Sequence, residues 1–183
     1  KGCGEGVFPY LWENESVCHT LFVSPPGCGK STILRDVIRL FSNGYKDKAG
    51  QSVSLIDERS EIAACYQGIA QNDVGKRTDI MDHCPKAIGV EMMVRSMGPK
   101  IVAFDELGGL EDMKAVRYAM QSGCRVITTM HGSDWQDIQK TVPANLFQRY
   151  VFLNDWNKTQ RIREVLDGQG RHLYRAMING LNV

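Results

Sequence analysis

Between a short apolar run and a helix-periodic one, the chain reads Ser24-Pro25-Pro26-Gly27-Cys28-Gly29-Lys30-Ser31-Thr32. No other stretch restricts the fold as much. A glycine-rich turn closing on Lys-Ser works only if a strand delivers the chain to it and a helix leaves it. The glycines then let backbone N–H groups curl around phosphate oxygens, and the helix presents its positive end to the same place. Leu21-Phe22-Val23 reads as the end of such a strand. Ile33, Leu34, Val37, Ile38 and Phe41 recur at helical spacing until Asn43-Gly44 stops them. The pattern predicts an α/β fold with a phosphate site at the turn.

Pro26, Gly27, Cys28 and Gly29 form the wrapping segment of that site. Lys30 would reach the β- and γ-phosphates as a point charge, Ser31 would place its hydroxyl on magnesium, and Thr32 would help hold the nucleotide. The expected ligands are ATP and Mg2+. One position departs from the general Walker A rule: Ser24 stands where the first glycine is usual. Pro25 holds its predecessor extended, so no positive φ is needed there.

A phosphate loop needs a carboxylate at the tip of another buried strand. Ile101-Val102-Ala103-Phe104 leads into Asp105-Glu106. Asp105 would serve the metal, and Glu106 would orient and deprotonate the attacking water. Asp105-Glu106-Leu107-Gly108 also fits the Asp-x-x-Gly of GTPases. The guanine-reading Asn-Lys-x-Asp is missing, because Asn157-Lys158 continues into Thr159-Gln160. A strand at 53–56 lies between the loop and Asp105 in sequence, which suits ATPases with an additional strand and a catalytic glutamate. The fold class expected is therefore a RecA-like, three-layer P-loop NTPase with an additional strand, carrying a C-terminal antiparallel β extension.

Composition fits one compact unit: 183 residues, 43% hydrophobic, 23% charged, net charge +1. That balance gives no general electrostatic case for nucleic acid or an anionic membrane. No apolar run is long enough to span a bilayer, and no signal peptide is visible. The six cysteines lack Cys-x-x-Cys spacing and read as free thiols. The first residue is Lys1, so a trimmed chain or a missing N-terminal domain is expected. Residues 1–15 read as an irregular lead-in, a remnant of such a domain, and 16–183 as the ATPase domain. Helices are predicted over 85–97 and 111–122, further strands over 100–104 and 125–129. Residues 67–84 read as polar and turn-rich. Residues 147–183 read as a β meander with strands over 147–153, 161–166 and 173–178, separated by turn signals at 154–158 and 167–170.

Other residues are candidates by position. Asp57-Glu58-Arg59 ends the second strand, and these charges would border the crevice. Thr129 or His131, at the end of the fourth, would sense the γ-phosphate. Arg77 and Arg95 are candidate stabilisers of transition-state charge, in this chain or across a subunit boundary.

Taken in order, these blocks resemble one family. Ser24–Thr32 continues into Leu34-Arg35-Asp36. Then come Asp57-Glu58-Arg59-Ser60-Glu61-Ile62-Ala63, Val74-Gly75-Lys76-Arg77-Thr78-Asp79, Cys84-Pro85-Lys86-Ala87, Arg95-Ser96-Met97, Asp105-Glu106-Leu107-Gly108 and His131-Gly132. The order is similar to the stage III sporulation protein AA family over about residues 20–153, and Ser24 belongs to that family's pattern. The resemblance implies a cytoplasmic ATPase related to type II and type IV secretion motors, with Asp57-Glu58 as the Asp box and His131 as the His box. It further implies a homo-oligomeric ring, a hexamer, whose arginines complete neighbouring sites. Such a motor would power a channel between mother cell and forespore, reaching the membrane through partner proteins and without inserting itself. Two rival readings use the same core: a DNA-dependent helicase-like ATPase, and a nucleotide switch that does not turn over. The DNA reading has only Lys158, Arg161, Arg163, Arg171 and Arg175 to draw on, interrupted by Glu164 and Asp167.

Overall fold

Alternation within the apolar runs explains the architecture. Ile101 and Ala103 pack in one core cluster, while Val102 and Phe104 pack in a second. Successive side chains of a strand point to opposite faces, so a strand apolar throughout must be covered on both. The computed structural model describes residues 2–154 and 161–176. Eight strands form one sheet: β1 Thr20–Ser24, β2 Val53–Asp57, β3 Thr78–Asp82, β4 Ile101–Phe104, β5 Arg125–His131, β6 Arg149–Leu153, β7 Ile162–Asp167 and β8 His172–Arg175. Their spatial order is β8-β7-β6-β1-β5-β4-β2-β3. The six strands from β6 to β3 run parallel, and β7 and β8 extend the sheet antiparallel.

Helix α1, Lys30–Asn43, lies on one face, its Ile33, Leu34, Val37, Ile38 and Phe41 packed with Phe22, Leu55, Ile127 and Val151. Helices α2, Lys86–Met97, and α3, Leu110–Gln121, cover the other through Val90, Met93, Ala115, Val116 and Ala119. The result is the expected three-layer α/β, RecA-like fold. The strand separating β1 from β4 is β5, which pairs with both. The inserted strand is thus the one after Asp105 in sequence, whereas 53–56 lies beyond β4. No helix among the described residues is long and apolar enough to cross a membrane.

Four readings of the sequence need correction. Residues 67–84 contain β3, at the sheet edge, and a ribbon pairing Cys65–Tyr66 with Ile69–Ala70 precedes it. Thr78, Asp79 and Asp82 break the apolar pattern, as charges on edge strands do. Residues 1–15 are not irregular throughout: Phe8–Leu11 form a 3-10 turn, and Val7, Phe8 and Leu11 are buried against α1. The Gly4 amide also donates to the buried Asp36 carboxylate at 2.8 Å. The first strand of the expected meander, β6, is a parallel core strand beside β1, so only β7 and β8 are antiparallel additions. Finally, β5 runs two residues past the predicted 129, which places Met130 and His131 within the strand. Asn157-Lys158 and most of the turn before β7 lie outside the described residues, as do the last residues of the strand expected over 173–178.

Candidate active site

The phosphate loop is set by backbone geometry. Gly27 and Gly29 adopt φ of +77° and +82°, a region L side chains rarely enter, and α1 starts immediately at Lys30. The first-turn amides of α1, without partners inside the helix, face the loop. Ser24 ends β1 in register with His131 and has no positive φ, so serine is accommodated where glycine is usual. Cys28 is buried, and its thiol turns back toward the Pro26 carbonyl at 3.8 Å.

Lys30 is 8% exposed. Its ammonium donates to the carbonyls of Ser24 at 3.2 Å and Pro25 at 3.1 Å, and meets His131 Nδ1 at 2.9 Å. Burial pulls this ammonium below the usual lysine range, against the opposing pull of Asp105, Cys28 and Glu106. An ammonium can only donate, so Nδ1 accepts and the ring hydrogen is assigned to Nε2. That nitrogen lies 3.5 Å from Glu106 Oε1.

Two residues after β4 complete the constellation. Ser31 Oγ donates to Asp105 Oδ2 at 3.1 Å. Thr129 Oγ1 donates to Asp105 Oδ1 at 2.7 Å and accepts the Glu106 amide at 2.9 Å. The Leu107 amide reaches the Thr129 carbonyl at 2.6 Å. Glu106 itself has φ +52°, an uncommon conformation for a non-glycine residue, held by those contacts to β5. Its second oxygen, Oε2, lies 3.5 Å from Arg59 Nη1. The loop and these residues bound one open cleft of about 380 Å³, lined by Pro26, Gly27, Gly29, Lys30, Ser31 and Thr32 on the loop side, with Arg59, Glu61, Asp105, Glu106 and His131 completing it. It opens at the carboxyl ends of the strands, where ligands of open α/β sheets bind.

The remaining sequence candidates are placed differently. Asp57 is 1% exposed and turned into its own loop, accepting the amides of Glu61 at 2.9 Å, Ile62 at 3.0 Å and Ala63 at 2.8 Å. Glu58 pairs with Lys86 at 2.7 Å. Arg77 sits at the amino ends of the strands, where its carbonyl accepts Val53 N–H and its guanidinium donates to the Ser42 carbonyl at 3.1 Å. Arg95 lies on the exposed side of α2, paired with Glu91 at 3.0 Å. Neither arginine is brought to this chain's cleft. Thr129 is committed to Asp105 and Glu106, so its hydroxyl holds the acidic pair. Of the cleft residues, sequence reasoning left Glu61 aside and gave Arg59 no task beyond bordering the crevice. Their signal was the charged run continuing past Glu58 off the end of β2.

The chain has the fold of the P-loop NTPases of the additional-strand type. Solved structures share this fold. The ATPase DotB of Legionella pneumophila matches with TM-score 0.61 and 16% identity, covering 90% of this chain and 48% of that one. The VirB11 ATPase of the Brucella suis type IV secretion system, in complex with sulphate, matches with TM-score 0.58 and 16% identity over 81% and 47%. The chain belongs to the family described as sporulation stage III, protein AA, whose model matches residues 1–173. Stage III sporulation protein AA of Bacillus subtilis is 39% identical over 181 residues, which is 96% of this chain and 59% of that protein. The chain thus spans well under two thirds of that relative and about half of the solved structures it resembles.

Proposed function

We propose that this chain binds ATP with magnesium in the cleft over residues 26–32 and hydrolyses it, as the motor domain of a sporulation secretion system. The observation that carries the reading is the 3.1 Å contact between Ser31 Oγ and Asp105 Oδ2. It brings a helix-start hydroxyl and a strand-end carboxylate together across the inserted strand, beside a buried lysine. One hydroxyl and one carboxylate, completed by phosphate oxygens and water, fit magnesium, which is held by few protein ligands. When bound, the ion would neutralise charge on the β- and γ-phosphates.

The protein's own groups then have distinct tasks. Lys30 exchanges the Ser24 and Pro25 carbonyls for phosphate oxygens, and the amides from Gly27 to Ser31 cradle them. Glu106, held in position from Thr129, accepts a proton from the attacking water. His131 links Lys30 to Glu106 and orients the base. Asp57 fixes the loop that carries Glu61 and Arg59. Arg77 and Arg95 face away from this cleft, so a part in phosphoryl transfer would be played across a subunit boundary, in a homo-oligomeric, hexameric ring. Family membership supports placing the motor at a channel between mother cell and forespore, on its cytoplasmic side, held to the membrane by partner proteins. Arg163 and Arg171 are engaged by Glu164 at 3.1 Å and Asp167 at 2.7 Å, which weakens the nucleic-acid alternative.

Calorimetric titration with magnesium ATP, beside a Lys30→Ala variant, tests the reading. The wild type binds, and Lys30→Ala loses roughly a hundredfold or more in affinity, as expected for a removed charge-assisted phosphate contact. A wild-type chain without affinity for ATP would refute it.

A further inference from the structure

Two strong cations line the cleft, and they are held in opposite ways. Lys30 is buried on fixed carbonyls, whereas the Arg59 side chain is 70% exposed. The backbone beneath Arg59 is anchored: the Ser60 amide reaches the Asp57 carbonyl at 3.2 Å, and the Asp57 carboxylate takes the next three amides. Arg59 is therefore a free head on a fixed base. Among the described residues its partner is Glu106, at 3.5 Å. That distance is long for a charge-assisted hydrogen bond, and exposed pairs of this kind contribute little. The other Glu106 oxygen faces His131, whose far nitrogen is held by Lys30. The glutamate thus rests between two groups that each answer to phosphate.

We infer that Arg59 is a phosphate-sensing residue that exchanges Glu106 for the terminal phosphate of the bound triphosphate. The inference rests on the nucleotide reading above. A phosphate carries more charge than a carboxylate and matches the guanidinium fork in two-pronged fashion, so it outcompetes the loose contact to Glu106. The exchange frees a Glu106 oxygen for the attacking water only when a γ-phosphate is present. A diphosphate lacks the group that Arg59 seeks and leaves the Arg59–Glu106 contact in place.

The test is the ratio of affinities for magnesium-loaded AMP-PNP and ADP, measured by calorimetry on wild type, Arg59→Ala and Arg59→Lys. A substitution at so exposed a side chain leaves the fold intact. Arg59→Ala is expected to lose roughly tenfold in AMP-PNP affinity, the order of one charge-assisted contact, while ADP affinity is unchanged. Arg59→Lys is expected to recover part of the loss. A merely structural role would move both nucleotides together. If Arg59→Ala leaves the ratio unchanged, or weakens both nucleotides equally, the inference is overturned while nucleotide binding stands. If the wild type binds neither nucleotide, the proposed function falls, and the inference with it.

Discussion

Thr129 holds Asp105 and the start of the loop after β4 with one hydroxyl, donating to Asp105 Oδ1 at 2.7 Å and accepting the Glu106 amide at 2.9 Å. Valine has the same shape without the hydroxyl. Thr129→Val should therefore cost about 1–3 kcal/mol for the buried groups left unpaired. It should also slow turnover roughly tenfold or more through misplacement of Glu106. Urea unfolding and steady-state phosphate release check the two effects. Thr129→Ser keeps the hydroxyl and should recover both.

Glu106 combines the proposed role of base with an unfavourable backbone. Glu106→Gln should keep ATP affinity and reduce single-turnover hydrolysis by about 10²–10⁴-fold. Glu106→Gly should abolish hydrolysis equally, yet stabilise the fold by about 1 kcal/mol, because glycine adopts φ +52° without strain. A Gly variant less stable than the Gln variant would show that the backbone there is not strained.

Asp57 and Glu58 are neighbours with different duties. Asp57→Ala removes the acceptor for three amides, two of them buried, and should destabilise by roughly 2–4 kcal/mol, with faster hydrogen exchange at Glu61, Ile62 and Ala63. Glu58→Gln breaks a partly exposed pair with Lys86 and should cost less than about 1 kcal/mol. Equal effects in the two variants would contradict this division.

Acid sensitivity has an identifiable source. Burial, with Arg125 adding to it, pushes the His19 imidazole from 6.5 down to about 4, and Nδ1 accepts the Val126 amide at 3.1 Å. Between those values the unfolded chain binds a proton that the folded chain refuses, so stability is full above pH 6.5 and falls as pH drops toward 4. Asp36, whose carboxyl lies below its usual 3.8, acts only at lower pH. His19→Asn keeps an acceptor for Val126 without titrating. Urea midpoints at pH 7.5 and 5 should differ less in that variant than in the wild type.

The turn between β1 and α1 and the place of the Asp105-Glu106 pair at the end of β4 were legible because each is contiguous and bounded by apolar runs of clear period. The sheet core was legible for the same reason. Glu61 was not, and Arg59 was legible only as a charge bordering the crevice, since both stand on an exposed turn whose placement depends on a buried carboxylate gathering amides, which no local period reports. Thr129 looked like a phosphate sensor by its place at a strand end. Only the register of β5 between β1 and β4 aims its hydroxyl at Asp105. The edge strand β3 escaped notice because half-exposed strands carry charges that read as loop.

Lys30 and His131, in contact, are separated by 101 positions along the chain, and that spacing dictates an order of assembly. Strand β1 is the first of the parallel strands to be made, yet both of its ladder neighbours, β5 and β6, are made later than every other one. Until position 131 has left the ribosome, the apolar Leu21-Phe22-Val23 has no pairing partner, and until 153 has followed it lacks the second and α1 has an incomplete bed. Such non-local pairing is slow and leaves a sticky intermediate. Partly synthesised chains should accordingly be clients of chaperones, and the contact between Lys30 and His131 should be absent from them.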